Sequence, residues 1–209
     1  MLTNLSNLKK YRIMTKIALF GTSADPPTTG HQAIIKWLSK NFEKVVIWAS
    51  DNPLKNHQTF LEKRSKMLSI LIENIDYNQN NIYLHQELSS CRTLETVELA
   101  IKKWNDGKFT LVVGSDLVKQ LLSWYHIEEL LQKVELLIIP RQGITTEEED
   151  LQKLRELSTE VKIAFLEVPN VSSSAYREQG DEMTITPPIK DYIYRHKLYQ
   201  WQKTSTEKL

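Results

Sequence analysis

At 209 residues, 41% of them apolar, the chain is long enough for one α/β domain burying about 70% of its unfolded surface, and short for two. The 27 Lys and Arg residues against 26 Asp and Glu leave a net charge of +1, which gives no case for a polyanion-binding surface, so no nucleic-acid partner is expected. One cysteine, Cys91, excludes an intrachain disulfide framework and a Cys-rich metal site; with no apolar run near the ~20 residues of a bilayer span, a cytoplasmic protein without a membrane partner is expected.

Residues 1–13 are polar and basic (Lys9, Lys10, Arg12) and read as a disordered leader, unless translation begins at Met14. The folded domain is expected over 14–200 and a tail over 201–209. An apolar run (Ile17, Ala18, Leu19, Phe20) stops at Gly21, a Pro-containing turn follows, and a helical pattern opens at Gly30-His31 with Ile34, Ile35 and Leu38 on one face. Residues 45–49 read as a buried parallel strand, and 50–59 as a loop. Over 60–73, Leu61, Met67, Leu68, Leu71 and Ile72 mark a helix face, with Lys63, Arg64 and Lys66 assigned to the opposite side. A third strand near 81–86 precedes a helix over 93–104.

The apolar run 109–113 is the clearest buried strand, ending in Gly114-Ser115-Asp116. Short helices are expected over 117–122 and 127–132, a strand over 135–139, an acidic-headed helix over 146–157 and a last strand over 162–168. The chain then runs through Ser172-Ser173-Ser174-Ala175-Tyr176-Arg177 and closes with Pro187-Pro188 and a helix over 190–197. Strands alternate with helices throughout, which predicts a single α/β domain with a doubly wound parallel sheet and ligands at the carboxyl ends of its strands. Neither G-x-x-x-x-G-K-[ST] nor a G-x-G-x-x-G after the first strand occurs, so the P-loop and dinucleotide fingerprints are excluded.

Separate loops supply groups suited to phosphate: Thr28 and His31 at the first helix, Ser172 to Ser174 with Arg177 at a late one, and Lys55 between them. An imidazole and a guanidinium at helix N-termini offset polyphosphate charge without a covalent intermediate, which favours phosphoryl or nucleotidyl transfer. His57, His85, His126 and His196 lack metal spacing, and Cys91 reads as a structural thiol because no base can be assigned to it, so no metal site is expected.

Thr28-Thr29-Gly30-His31 resembles the [HT]-x-G-H motif of the nucleotidyltransferase superfamily, and Ser172 to Arg177 resembles its I-S-S-T-x-x-R counterpart. Over about residues 16–200 the chain is similar to nicotinate-nucleotide adenylyltransferases: Arg64-x-x-Met67-Leu68, Gly114-x-Asp116, Trp124 followed by Ile127-Glu128-Glu129-Leu130, Pro140-Arg141-Gln142-Gly143, and Tyr192-Ile193 with Leu198-Tyr199.

The resemblance implies a Rossmann-like sheet that binds ATP and nicotinate mononucleotide together, joins them as nicotinate adenine dinucleotide and releases pyrophosphate. It places Gly21, Thr22, Gly30, Lys55 and Gly114 against ATP, Thr28 and His31 on its phosphates, Ser173, Ser174 and Arg177 on the β- and γ-phosphates, and Asp116 on a ribose hydroxyl. The catalytic group would be His31, Thr28 and Arg177, and the acceptor would meet Thr93, Trp124 and Arg141, with Trp124 stacked on the pyridine ring. Mg2+ would ride on the triphosphate, and the oligomeric state is left open, a homo-oligomer included.

Departures from the family pattern stand at Ser23-Ala24, where a Phe is usual, at Asn52-Pro53-Leu54-Lys55 in place of P-P-H-[KR], and at Arg92, where a Tyr usually precedes Thr93 and selectivity for nicotinate over nicotinamide is at stake. Nicotinamide mononucleotide or phosphopantetheine as acceptor, and a regulator that binds nucleotide without turnover, are the alternatives.

Overall fold

The computed structural model describes residues 14–52, 59–75, 80–158 and 160–199, so Lys55, His57, the leader and the tail lie outside the described residues. Six strands, β1 (Thr15–Thr22), β2 (Lys44–Ala49), β3 (Ile82–Leu84), β4 (Gly107–Gly114), β5 (Glu135–Ile139) and β6 (Val161–Ile163), pair in parallel in the order β3-β2-β1-β4-β5-β6. The helices are α1 (Thr29–Asn41), α2 (Leu61–Glu73), α3 (Thr93–Lys103), α4 (Val118–Leu121), α5 (Ile127–Lys133), α6 (Glu148–Leu157), α7 (Ser173–Gln179) and α8 (Pro187–Arg195).

The four inner strands are apolar on both faces because both are covered. Ala18, Phe20, Ile47, Val112 and Leu137 pack with residues of α1, α2, α7 and α8. Their neighbours Ile17, Leu19, Val46, Leu111 and Leu136 pack with α3, α4, α5 and α6 on the other face. β1 therefore leads to a helix on one face and β4 to a helix on the other, and the loops leaving these adjacent strands part. The crevice between them is the place where a doubly wound sheet takes its ligand.

Several elements differ from the pattern reading. The last strand is Val161–Ile163 and not 162–168. Ala164 N–H still donates to Ile138 O at 2.8 Å, but the next residues of the neighbouring chain are Ile139 and Pro140, and proline has no N–H to extend the ladder. Phe165 is consequently fully exposed. β3 is also shorter than 81–86; beyond it the Gln86 side chain continues the pairing, its amide donating to Ala49 O and accepting from Ala49 N–H, both at 2.9 Å. The segment expected to be helical over 117–122 splits into a 3-10 turn, Ser115–Leu117, and α4. The acidic helix begins at Glu148, two residues later than expected. The closing helix begins earlier, because the two prolines occupy its first turn, where a missing N–H costs nothing.

Candidate active site

A cavity of about 550 Å³ opens at the carboxyl ends of the central strands. Gly21, Thr22, Thr28, Gly30 and His31 line it from the β1–α1 turn, Gly114 and Asp116 from the end of β4, and Arg141 from the loop after β5. Arg92, Thr93, Trp124 and Tyr125 form a further stretch of its wall.

Thr28 and His31 form a reciprocal cap on α1. The Thr28 backbone N–H donates to His31 Nδ1 at 3.0 Å, with Thr28 Oγ1 at 2.9 Å from the same nitrogen. A backbone N–H can only donate, so Nδ1 is an acceptor and the neutral ring carries its proton on Nε2. Nε2 lies 2.9 Å from Thr22 Oγ1, at the cavity wall. The cap that starts the helix thus also orients a donor toward the space a ligand would fill. Unpaired N–H groups and the helix dipole at the same end favour an anion there.

At the β4 end the backbone is held close to a carboxylate. A Cβ on Gly114 would stand 2.3 Å from Asp116 Oδ1, so a side chain there would push the carboxylate aside. Arg141 Nε lies 3.1 Å from that oxygen, near enough for charge attraction though out of line for a hydrogen bond. Ser115 Oγ accepts from the Arg141 backbone N–H at 2.9 Å and fixes the loop that carries it. Gly21 is constrained in the same way, since a Cβ there would meet the Trp48 ring at 2.6 Å.

Ser173, Ser174 and Arg177 do not line the cavity; Ser172, which caps α7 by accepting from Ala175 N–H at 3.0 Å, does. Ser173 Oγ donates to Pro26 O at 2.7 Å, and Arg177 donates to Asp25 O at 2.6 Å and to Ser174 Oγ at 3.1 Å. These residues brace the turn between β1 and α1 from behind, where Ala24 adopts a left-handed φ of 46° and Asp25 is buried. Tyr199 donates to Asp25 Oδ1 at 2.5 Å; burial first, and that bond second, raise its phenol pKa well above the ordinary value, so it stays a donor.

Arg64 overturns its assignment to the solvent side of α2. It is 1% exposed, and its guanidinium donates to Ser23 O (2.8 Å), Ser50 O (2.7 Å) and Thr59 O (3.1 Å) while pairing with Asp51 at 3.3 Å. Burial lowers its pKa, and the carboxylates of Asp25 and Asp51 oppose that shift. The signal was its spacing: Arg64 precedes Met67 and Leu68 by three and four residues, which places it on their face of the helix. Cys91, read as a structural thiol, is exposed and lines the cavity. Trp48, Tyr125, Gln120 and Asn170 line the cavity without having carried any signal recognised in the sequence.

The cytidylyltransferase-like family profile matches residues 19–179. A Synechocystis protein named "Probable nicotinate-nucleotide adenylyltransferase" is 38% identical over 198 residues, spanning 88% of this chain and 99% of that one. The chain belongs to the nicotinate-nucleotide adenylyltransferase family. A Bacillus cytotoxicus member carrying the same name is 30% identical over 90% of this chain and 100% of its own. The fold of the family extends to Plasmodium falciparum nicotinic acid mononucleotide adenylyltransferase complexed with NaAD, at a TM-score of 0.73 and 22% identity, covering 88% of this chain and 97% of that one. Among the described residues no helix is long and apolar enough to cross a membrane.

Proposed function

We propose that the chain transfers the adenylyl group of ATP to nicotinate mononucleotide. A phosphate oxygen of the mononucleotide attacks the α-phosphorus, a new P–O bond forms, the bond to the bridging oxygen of the β-phosphate breaks, and pyrophosphate leaves. The observation that carries this reading is the His31 arrangement: an Nε2–H donor, fixed by the α1 cap, faces a cavity that runs on to the ribose-compatible carboxylate of Asp116 and the aromatic wall at Trp124.

The reaction needs alignment and charge stabilisation and no nucleophile from the protein. In this reading His31 Nε2–H exchanges Thr22 Oγ1 for a phosphate oxygen and holds the charge that develops on it, while Thr28 keeps the ring in place. Arg177 reaches the β- and γ-phosphates by giving up Ser174 Oγ at 3.1 Å, a longer bond than the 2.6 Å one that stays on Asp25 O. Asp116 accepts from a ribose hydroxyl, with Gly114 admitting the sugar close to the backbone. Thr93, Trp124 and Arg141 frame the acceptor. Lys55 lies outside the described residues and is kept as a candidate for the triphosphate. Mg2+ would arrive on the triphosphate: among the described residues no three His, Cys, Asp or Glu side chains gather into a cation cage.

The acceptor is tested by assaying nicotinate mononucleotide, nicotinamide mononucleotide and phosphopantetheine side by side with ATP. The highest kcat/KM is expected with nicotinate mononucleotide; a preference for either of the others refutes the assignment.

A further inference from the structure

Among the described residues, His31 and three charged side chains, Arg92, Asp116 and Arg141, line the cavity. Asp116 and Arg141 face one another at 3.1 Å, and His31 Nδ1 accepts from the Thr28 N–H while Nε2 lies 2.9 Å from Thr22 Oγ1. Arg92 is the cation that this pairing leaves over. Its guanidinium carbon sits 4.1 Å from the centre of the Tyr125 ring, and that ring also stacks on His126 at 4.0 Å, so the cation rests on a fixed aromatic platform. Glu95 counters it only loosely. Its Oε1 is 3.4 Å from Arg92 Nη1, whereas its Oε2 takes a shorter 2.5 Å bond from Ser90 Oγ. Of the five N–H donors of the guanidinium, this one is committed among the described residues. Arg92 also stands at the N-cap of α3, whose first turn has no side-chain cap, so the helix end adds to the local preference for negative charge.

We infer that Arg92 determines specificity for the acceptor, its guanidinium pairing with a carboxylate on the acceptor's aromatic ring and so selecting the acid over the corresponding amide. Resting on the adenylyl transfer proposed above, this assigns the chemistry of one end of the same cavity. The phosphates belong at the other end, at the α1 cap. A ring stacked on Trp124 brings its substituent to the neighbouring wall, which Arg92 and Tyr125 form. A planar fork matches a carboxylate through two parallel hydrogen bonds, whereas a carboxamide presents its own N–H donors to part of that fork.

The experiment measures kcat/KM with nicotinate mononucleotide and with nicotinamide mononucleotide for the wild type, Arg92→Met and Arg92→Lys. Arg92 is half-exposed, so both variants should fold, and a thermal melt checks this. The acid-to-amide ratio of kcat/KM is expected to fall at least about tenfold in Arg92→Met, the size of one lost charge-assisted hydrogen bond, with Arg92→Lys between the two. An Arg92→Met ratio within about twofold of the wild type overturns the role of Arg92 and leaves adenylyl transfer standing. A wild type that turns over neither acceptor overturns the proposed function, and this inference with it.

Discussion

At His31 a backbone donor settles which ring nitrogen carries the proton. Were the proton on Nδ1, it would oppose the Thr28 N–H at 3.0 Å, so the cap itself enforces the Nε2–H form. His31→Ala removes that donor and half of the capping box. Loss of a transition-state donor lowers kcat about 100- to 1,000-fold, while loss of the reciprocal cap costs only about 1 kcal/mol of stability. Steady-state kinetics beside a thermal melt will separate the two effects; a near-normal kcat in a folded variant contradicts the role given to His31. Thr28 and His31 were legible in the sequence because the Thr-Thr-Gly-His run stands where the first apolar strand gives way to a helical pattern. Tyr125 beneath Arg92 was not, because 33 positions of chain separate two residues that only the tertiary fold brings to 4.1 Å.

Among the elements, α2 does more than cover the sheet. Through Arg64 it ties together the carbonyls of Ser23 after β1, Ser50 after β2 and Thr59 before its own first turn. Met in place of Arg64 would fill comparable volume and leave those carbonyls without their donor, each at about 1–3 kcal/mol if it stays dry. Chemical denaturation is expected to show a loss of at least about 2 kcal/mol for Arg64→Met, against under about 0.5 kcal/mol for the exposed neighbour Lys66→Met. Similar small losses for both would return Arg64 to the solvent side where its charge had placed it.

Residue type misled there and spacing did not: a charged residue on an apolar stripe signals a buried function as readily as it signals exposure. The ends of elements were the less legible part. Whether β6 extends past Ile163 depends on Pro140 in another segment, and no pattern within 162–168 reports that. The start of α1 was readable from the helical pattern that opens at Gly30-His31, whereas the partners of Ser173 and Arg177 lie about 150 positions away, at Pro26 and Asp25.

On the scale of the whole molecule, the strand order brings β1 and β4 together and sends their following helices to opposite faces. That alone opens the crevice, and alternating strands and helices were enough to predict it. Its contents follow from loops at the carboxyl ends: a helix cap with a fixed imidazole donor, a carboxylate beside a glycine, and an aromatic wall with a cation seated on it. In the proposed reaction these parts direct attack to the α-phosphorus of ATP. Purified protein incubated with nicotinate mononucleotide, Mg2+ and ATP labelled at either the α- or the γ-phosphorus tests it most directly. The expected result is α-label in the dinucleotide and γ-label in pyrophosphate; γ-label on the acceptor, or released as free phosphate, would refute attack at the α-phosphorus.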